Sequence, residues 1–301
     1  MTSYTINWIL LLILSAIWGG AFTLNKFALE VYSPEVIVAG RLIIGSIVLF
    51  ISILILTKKM EIKLSDWKYY SFMSIVGIVA PFLLISYGQI EIDSSLAGIL
   101  MSTMPISTLI LSHFFLDDEI MTPKKLLGFI IAFIGIIVLI MPDKSIFEDG
   151  SLNDLYSEFL VISGAVLYSF AAVYGKKFKI TDPLSASTGV IFYATIITSI
   201  YLAINPMLIS REIGSIEHIS SVALLGIFCT GIATLIYFQI LQSSGATFIS
   251  IMNYLIPIWA IFFGVFFFDE ETTWNYFVGL IIVIIGIQIS QSDKFLENIK
   301  S

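Results

Sequence analysis

Apolar runs of about 20 residues, separated by short polar bursts, follow one another along this whole chain, and that length is what a bilayer core demands of a helix. Ten such runs stand at about 8–28, 35–56, 68–88, 94–116, 124–141, 156–176, 184–204, 219–241, 246–268 and 274–291. Charged residues make up 12% of the chain and hydrophobic residues 58%, where soluble domains carry roughly 25% charged. A soluble fold of this length cannot hide so much apolar surface. The runs are too long for strands and lack the alternation of a membrane barrel. The expected fold class is therefore an all-α polytopic membrane protein with ten transmembrane helices. Trp8, Trp67 and Trp274 each open a run, at the level where an amphipathic ring prefers the interface.

The chain carries one apolar pattern twice. Pro105 to Glu119 reads PISTLILSHFFLDDE, and Pro257 to Glu271 reads PIWAIFFGVFFFDEE. The prolines are 152 positions apart (257 minus 105), Tyr87-Gly88-Gln89 recurs 150 positions on as Tyr237-Phe238-Gln239, and Gly128 and Gly135 recur 151 positions on as Gly279 and Gly286. The unit is thus a five-helix repeat, at residues 1–142 and again at 155–292. Residues 143–154, polar and containing Gly150, form an expected external linker, and 293–301 an expected cytoplasmic tail.

Positive charge fixes the expected orientation. With the amino terminus inside, Lys58, Lys59, Lys63, Lys68, Lys124, Lys125, Lys176, Lys177, Lys179, Lys294 and Lys300 fall on the cytoplasmic side, against Lys26, Arg41, Lys144 and Arg211 on or near the other. Both termini are expected in the cytoplasm. Because each copy holds an odd number of spans, the second must run upside down, an inverted-topology repeat. The first span reads as a permanent helix, since no Lys or Arg precedes it and no small-residue cleavage site follows a short core.

Residues able to line a central cavity come next. Pro105 and Pro257 fall near mid-span, where each frees the carbonyl four residues earlier, at Met101 and Asn253. In lipid such a carbonyl must find a partner or face a wet cavity. Trp18, Tyr87, Tyr168, Tyr237 and Tyr254 lie within spans and bring polar tips that need partners. Asn253, one turn before a proline, is too costly to turn toward lipid. Lys26 lies near the end of the first span, within snorkelling reach of water. Arg41 lies about two turns into the second span, with Glu35 the nearest acid in sequence. The acidic endings at Glu119 and at Glu270 or Glu271 sit at span ends, where a helix-end or interface role is expected.

Several functions are excluded. A net charge of −7 argues against nucleic-acid binding. Two distant histidines, His113 and His218, give no metal-ligand spacing, and the single Cys229 reads as a small core residue. No G-x-x-x-x-G-K-[ST] loop is present, so ATP is not used directly. No acidic residue falls at mid-span, which argues against classical carboxylate-driven proton symport. No cofactor is expected.

Trp18-Gly19-Gly20-Ala21-Phe22 with Lys26, Arg41, and the doubled series Pro105, Glu119, Gly128, Gly135 and Pro257, Glu270, Gly279, Gly286 resemble the EamA-type permeases of the drug/metabolite transporter superfamily. The resemblance covers essentially the whole chain. It implies a ten-helix bundle working by alternating access around a cavity shared by both halves. It further implies transport of a small metabolite, an amino acid or related compound, in a bacterial plasma (inner) membrane. A multidrug exporter is the alternative within the class; a passive channel or an intramembrane enzyme lies outside it. Expected partners are the small-molecule substrate and the lipid bilayer, with a homodimer an allowed assembly.

Overall fold

The structure, a computed structural model, describes residues 3–55, 66–92, 94–140, 152–178, 182–209, 214–268 and 274–300. The expected linker falls almost entirely outside them, as do Glu270, Glu271, Lys144 and Arg211. Every regular element among the described residues is helical. In order they are α1 (Ser3–Ala28), α2 (Pro34–Ile55), α3 (Trp67–Ser74), α4 (Ala80–Glu91), α5 (Ser94–Met101), α6 (Met104–Phe115), α7 (Pro123–Ile140) and α8 (Leu152–Lys177). There follow α9 (Pro183–Ile204), α10 (Ile216–Gly226), α11 (Ala233–Ser244), α12 (Ala246–Ser250), α13 (Met252–Phe268) and α14 (Trp274–Lys300). A π-helical segment, Ile75–Val79, joins α3 to α4 without a break, and another, Ile227–Ile232, joins α10 to α11.

Among the described residues, six helical stretches are long and apolar enough to cross a membrane: Tyr4–Ala28, Pro34–Ile55, Trp67–Glu91, Leu155–Lys177, Pro183–Ile204 and Ile216–Ser244. Met104–Phe115, Ala246–Trp259 and Phe277–Gln291 are shorter apolar helices. Outward-facing Phe50, Leu54, Phe114, Phe159, Ile204 and Ile281 are all exposed, an apolar surface suited to lipid. The chain is a polytopic membrane protein. Helix α14 runs on to Lys300, through the residues expected as a tail.

Local chemistry sets where helices start. Proline opens α2, α7 and α9, where its missing N–H is one the helix leaves unpaired anyway. Asp182 caps α9 by accepting from the Ser185 backbone N–H at 2.9 Å. Ser215 and His218 form a reciprocal capping box at α10.

Two of the expected spans are not continuous. The fourth breaks at Ser102 and Thr103, between α5 and α6, because Pro105 offers no N–H to carry the helix through. The ninth breaks at Ile251, between α12 and α13, while Pro257 itself lies inside α13. Both breaks tighten into three-residue turns: Thr103 donates to the Leu100 carbonyl and Ile251 to the Phe248 carbonyl, each at 3.2 Å, and Tyr254 to the Ile251 carbonyl at 2.9 Å.

The main helix pairings join the first half of the chain to the second: α7 with α14, α4 with α8, α2 with α9 and α1 with α13. The halves interleave around one core and are not side-by-side domains. The α7–α14 crossing depends on glycine. A Cβ at Gly128 would stand 2.5 Å from the Ser290 backbone nitrogen and 2.6 Å from the Gly286 carbonyl. Backbones approach this closely only where side chains are absent. Gly128→Val is expected to lower stability by at least the roughly 1–3 kcal/mol of ordinary overpacking. Gly20→Ala, with nothing within 4 Å of the added methyl, should leave it unchanged or raise it. Thermal unfolding of both variants in detergent checks this.

Candidate functional site

The two broken helices meet. Pro257 cannot donate to the Asn253 carbonyl, and that carbonyl instead accepts from the Ser102 hydroxyl, at 3.1 Å, in the opposite break. Asn253 is buried; its amide donates to the Ser250 carbonyl at 3.2 Å and lies 3.0 Å from the Met104 sulfur.

Beside the breaks lies a narrow cavity of about 60 Å³, room for a few water molecules. Helices α1, α2, α4, α5, α6, α8 and α13 all contribute to its wall. Trp18, Arg41, Met101, Tyr168 and Asn253, all marked in the sequence, line it. So do Phe22, Asn25, Phe82, Ser86, Gln89, Met104 and Met252.

Arg41 is the charged residue of this wall. It is 6% exposed, and no carboxylate pairs with it among the described residues. Its Nε donates to the Thr230 hydroxyl at 2.9 Å, its Nη2 reaches the Cys229 carbonyl at 3.5 Å, and the guanidinium carbon lies 3.8 Å from the centre of the Phe82 ring. Glu35, its nearest acid in sequence, instead accepts from the Tyr87 hydroxyl. Thr230 and Cys229 belong to the π-helical segment at Ile227–Ile232, whose Cys229 carbonyl also accepts from the Trp18 indole at 2.9 Å.

On the neighbouring face the amides are mutually satisfied. Asn25 donates to Gln89 at 3.0 Å, Ser86 donates to Asn25 at 3.1 Å, and Gln89 donates to the Phe22 carbonyl at 3.1 Å.

The remaining marked residues sit elsewhere. Lys26 donates to the carbonyls of Gln89, Ile90 and Ile92, at 2.8, 3.3 and 3.1 Å, and so caps the carboxyl end of α4 rather than facing the cavity. Tyr87 is 40% exposed and held by Glu35. Tyr254 is buried with its hydroxyl donating to the Phe129 carbonyl at 2.9 Å. Pro105 stands in the first turn of α6 and Pro257 inside α13; neither lines the cavity. Tyr237 lines a second, smaller hollow with Trp18, Phe82, Tyr168 and Thr234.

Glu119 has the helix-end role its position suggested, on a helix of the other half. Its two carboxylate oxygens accept from the backbone N–H groups of Ala246 and Thr247, both at 2.7 Å, at the start of α12. Gly245, with φ +94°, leaves no Cβ in the carboxylate's way. Thr230, Ser102 and Phe82 carried no sequence signal: each is an ordinary residue of an apolar run until a long-range neighbour gives it a task.

Comparison with known proteins follows the same pattern. The sequence profile described as the EamA-like transporter family matches twice, over residues 6–141 and 155–290. An uncharacterized transporter of Archaeoglobus fulgidus is 29% identical over 94% of this chain and 98% of its own length. The uncharacterized transporter YoaV of Bacillus subtilis is 25% identical, over 90% and 91%. An S-adenosylmethionine/S-adenosylhomocysteine transporter of Chlamydia trachomatis is 23% identical, over 96% and 90%. A solved crystal structure superposes with a TM-score of 0.78 across 99% of both chains, at 14% identity, a likeness of fold.

Removing the carboxylate that caps α12 leaves two buried N–H groups unpaired. Glu119→Ala is expected to lower unfolding free energy by about 1–3 kcal/mol, and Ser102→Ala by about 1 kcal/mol. Thermal melts of the purified variants, compared with wild type, check both the sign and the order.

Proposed function

Because this chain belongs to the EamA-like transporter family, a family of transporters and not enzymes, we propose that it carries a small metabolite by alternating access through the cavity at the paired helix breaks. The observation that carries this reading is the Ser102 to Asn253 carbonyl bond, which joins the breaks of the two halves beside a cavity walled by both. Alternating access needs such a site, shared by two halves that rock against each other.

Ten spans in two inverted repeats, with both termini cytoplasmic, complete the proposal. The double family match supports the duplication. The pairings of α2 with α9 and α7 with α14 support a pseudo-two-fold axis, since each sets an element against its own repeat mate. The π-helical segments, at Ile75–Val79 and Ile227–Ile232, start 152 positions apart (227 minus 75), at the repeat spacing. The relatives are bacterial and archaeal, which supports a plasma-membrane location. The substrate in this reading is an amino acid or a related compound, which a relative named for S-adenosylmethionine and S-adenosylhomocysteine supports.

No carboxylate or histidine lines the cavity among the described residues, so proton coupling through one has no seat there. Proteoliposomes test the whole reading. Uptake is expected to saturate and to be stimulated by substrate on the opposite side, without accumulation under an imposed proton gradient. Single-channel conductance in place of counterflow sinks alternating access. At equal membrane abundance, Arg41→Ala and Asn253→Ala are expected to reduce transport roughly tenfold or more, as loss of a charged or buried polar contact does, while exposed Lys177→Ala does not; equal activity of all three rejects the cavity assignment.

A further inference from the structure

The cavity's charge is one-sided. Its single cation among the described lining residues is Arg41, and no lining carboxylate answers it. The partners it has are a hydroxyl, a distant carbonyl and the face of an aromatic ring. None carries a full negative charge, and none accepts from Nη1. Burying a charge without a counter-charge costs several kcal/mol, on the order of a whole protein's stability margin. A guanidinium cannot escape this by giving up its proton. Arg41 is also held in place, with its Nε fixed by Thr230 and its guanidinium carbon over the Phe82 ring, so the unfilled N–H groups present a fixed edge.

The polar groups nearby do not compete for that role. Asn25, Ser86 and Gln89 satisfy one another and the Phe22 carbonyl. Apart from the Asn253 amide, the rest of the wall is apolar: the rings of Trp18, Phe82 and Tyr168 and the thioethers of Met101, Met104 and Met252, with aliphatic residues between. Flat apolar bodies stack on such rings, and methionines adapt to irregular ones.

Resting on the transport reading above, and narrowing its substrate to compounds related to amino acids but lacking the ammonium group, we infer that the cavity binds a net monoanion, a carboxylate on a flat apolar body, with the carboxylate on the free edge of Arg41. An ammonium group would meet no carboxylate there. A phosphate monoester would bring about −1.5 to −2 charges against one guanidinium. A single carboxylate matches both the charge and the planar donor geometry of arginine.

The test holds the apolar body constant and changes only the charge. Full-length purified protein in detergent is titrated calorimetrically with 3-phenylpropionate, phenylalanine and phenethylamine. The anion is expected to bind roughly tenfold or more tighter than the amine, with the zwitterion between, as a charge-assisted contact implies. Arg41→Gln should erase that order, and Arg41→Lys should keep part of it. Tighter binding of the zwitterion or the amine, an unchanged order in Arg41→Gln, or no binding by any of the three overturns the inference. Should Arg41→Gln fail to fold, the wild-type order among the three probes still decides. Counterflow in proteoliposomes is scored separately. Saturable flux of a cation through the wild type removes the charge class and leaves the transporter standing, whereas no saturable flux of any metabolite removes the transport reading itself.

Discussion

A backbone amide inside a bilayer has no water to turn to, and the rest of this structure depends on how that debt is met. Where helices run unbroken the ladder satisfies itself. Where they break, side chains from distant segments finish the work. Ser102 takes the carbonyl released by Pro257, Glu119 takes two N–H groups at the start of α12, and Lys26 takes three carbonyls at the end of α4. The two caps respect the helix dipole, an anion at an amino end and a cation at a carboxyl end. Breaks secured in this way can stand next to an open cavity without unravelling into it.

The cavity is the converse case. Around it hydrogen bonding is largely complete, yet one charge has no opposite. Those two facts separate the residues that hold the site from the residue that faces its contents. The amide cluster on α1 and α4 is framework, closed on itself. Arg41 is braced by Thr230 and Phe82 but not neutralised by either.

Much of this was legible in the chain. Run length and composition give a polytopic helical protein, and the doubled Pro105 and Pro257 series locates the two irregular helices. The same argument identified the Asn253 carbonyl as one needing a partner; separate arguments, from aromatic polar tips and in-span charge, marked Trp18, Tyr168 and Arg41, and the structure places these with Met101 and Asn253 in the cavity wall. Other placements depended on facts that no local pattern carries. The sequence puts Lys26 near a membrane surface but says nothing of α4 ending within its reach. Tyr254 needs an acceptor, and only the packing of α13 on α7 reveals that the Phe129 carbonyl supplies it. The break at Ile251 precedes its proline by six positions (257 minus 251), and α13 passes through Pro257 with the carbonyl it leaves unpaired held by Ser102. Glu119 shows the limit from the other side: its place at a helix end was readable, but the helix it serves lies 127 residues away.

The π-helical segment at Ile227–Ile232 has a geometric consequence for Arg41. Widening one turn admits an additional residue and leaves a carbonyl over, and here the Cys229 carbonyl serves both the Trp18 indole and the Arg41 guanidinium. The flanking stretches α10 and α11 are thereby rotated relative to each other about their shared axis. If that wide turn migrates along the rod or narrows to an ordinary one, the carbonyl withdraws and the rotation relaxes together. Helix phase and the orientation of the guanidinium are then one variable, so a twist of this rod re-aims the cavity's charge.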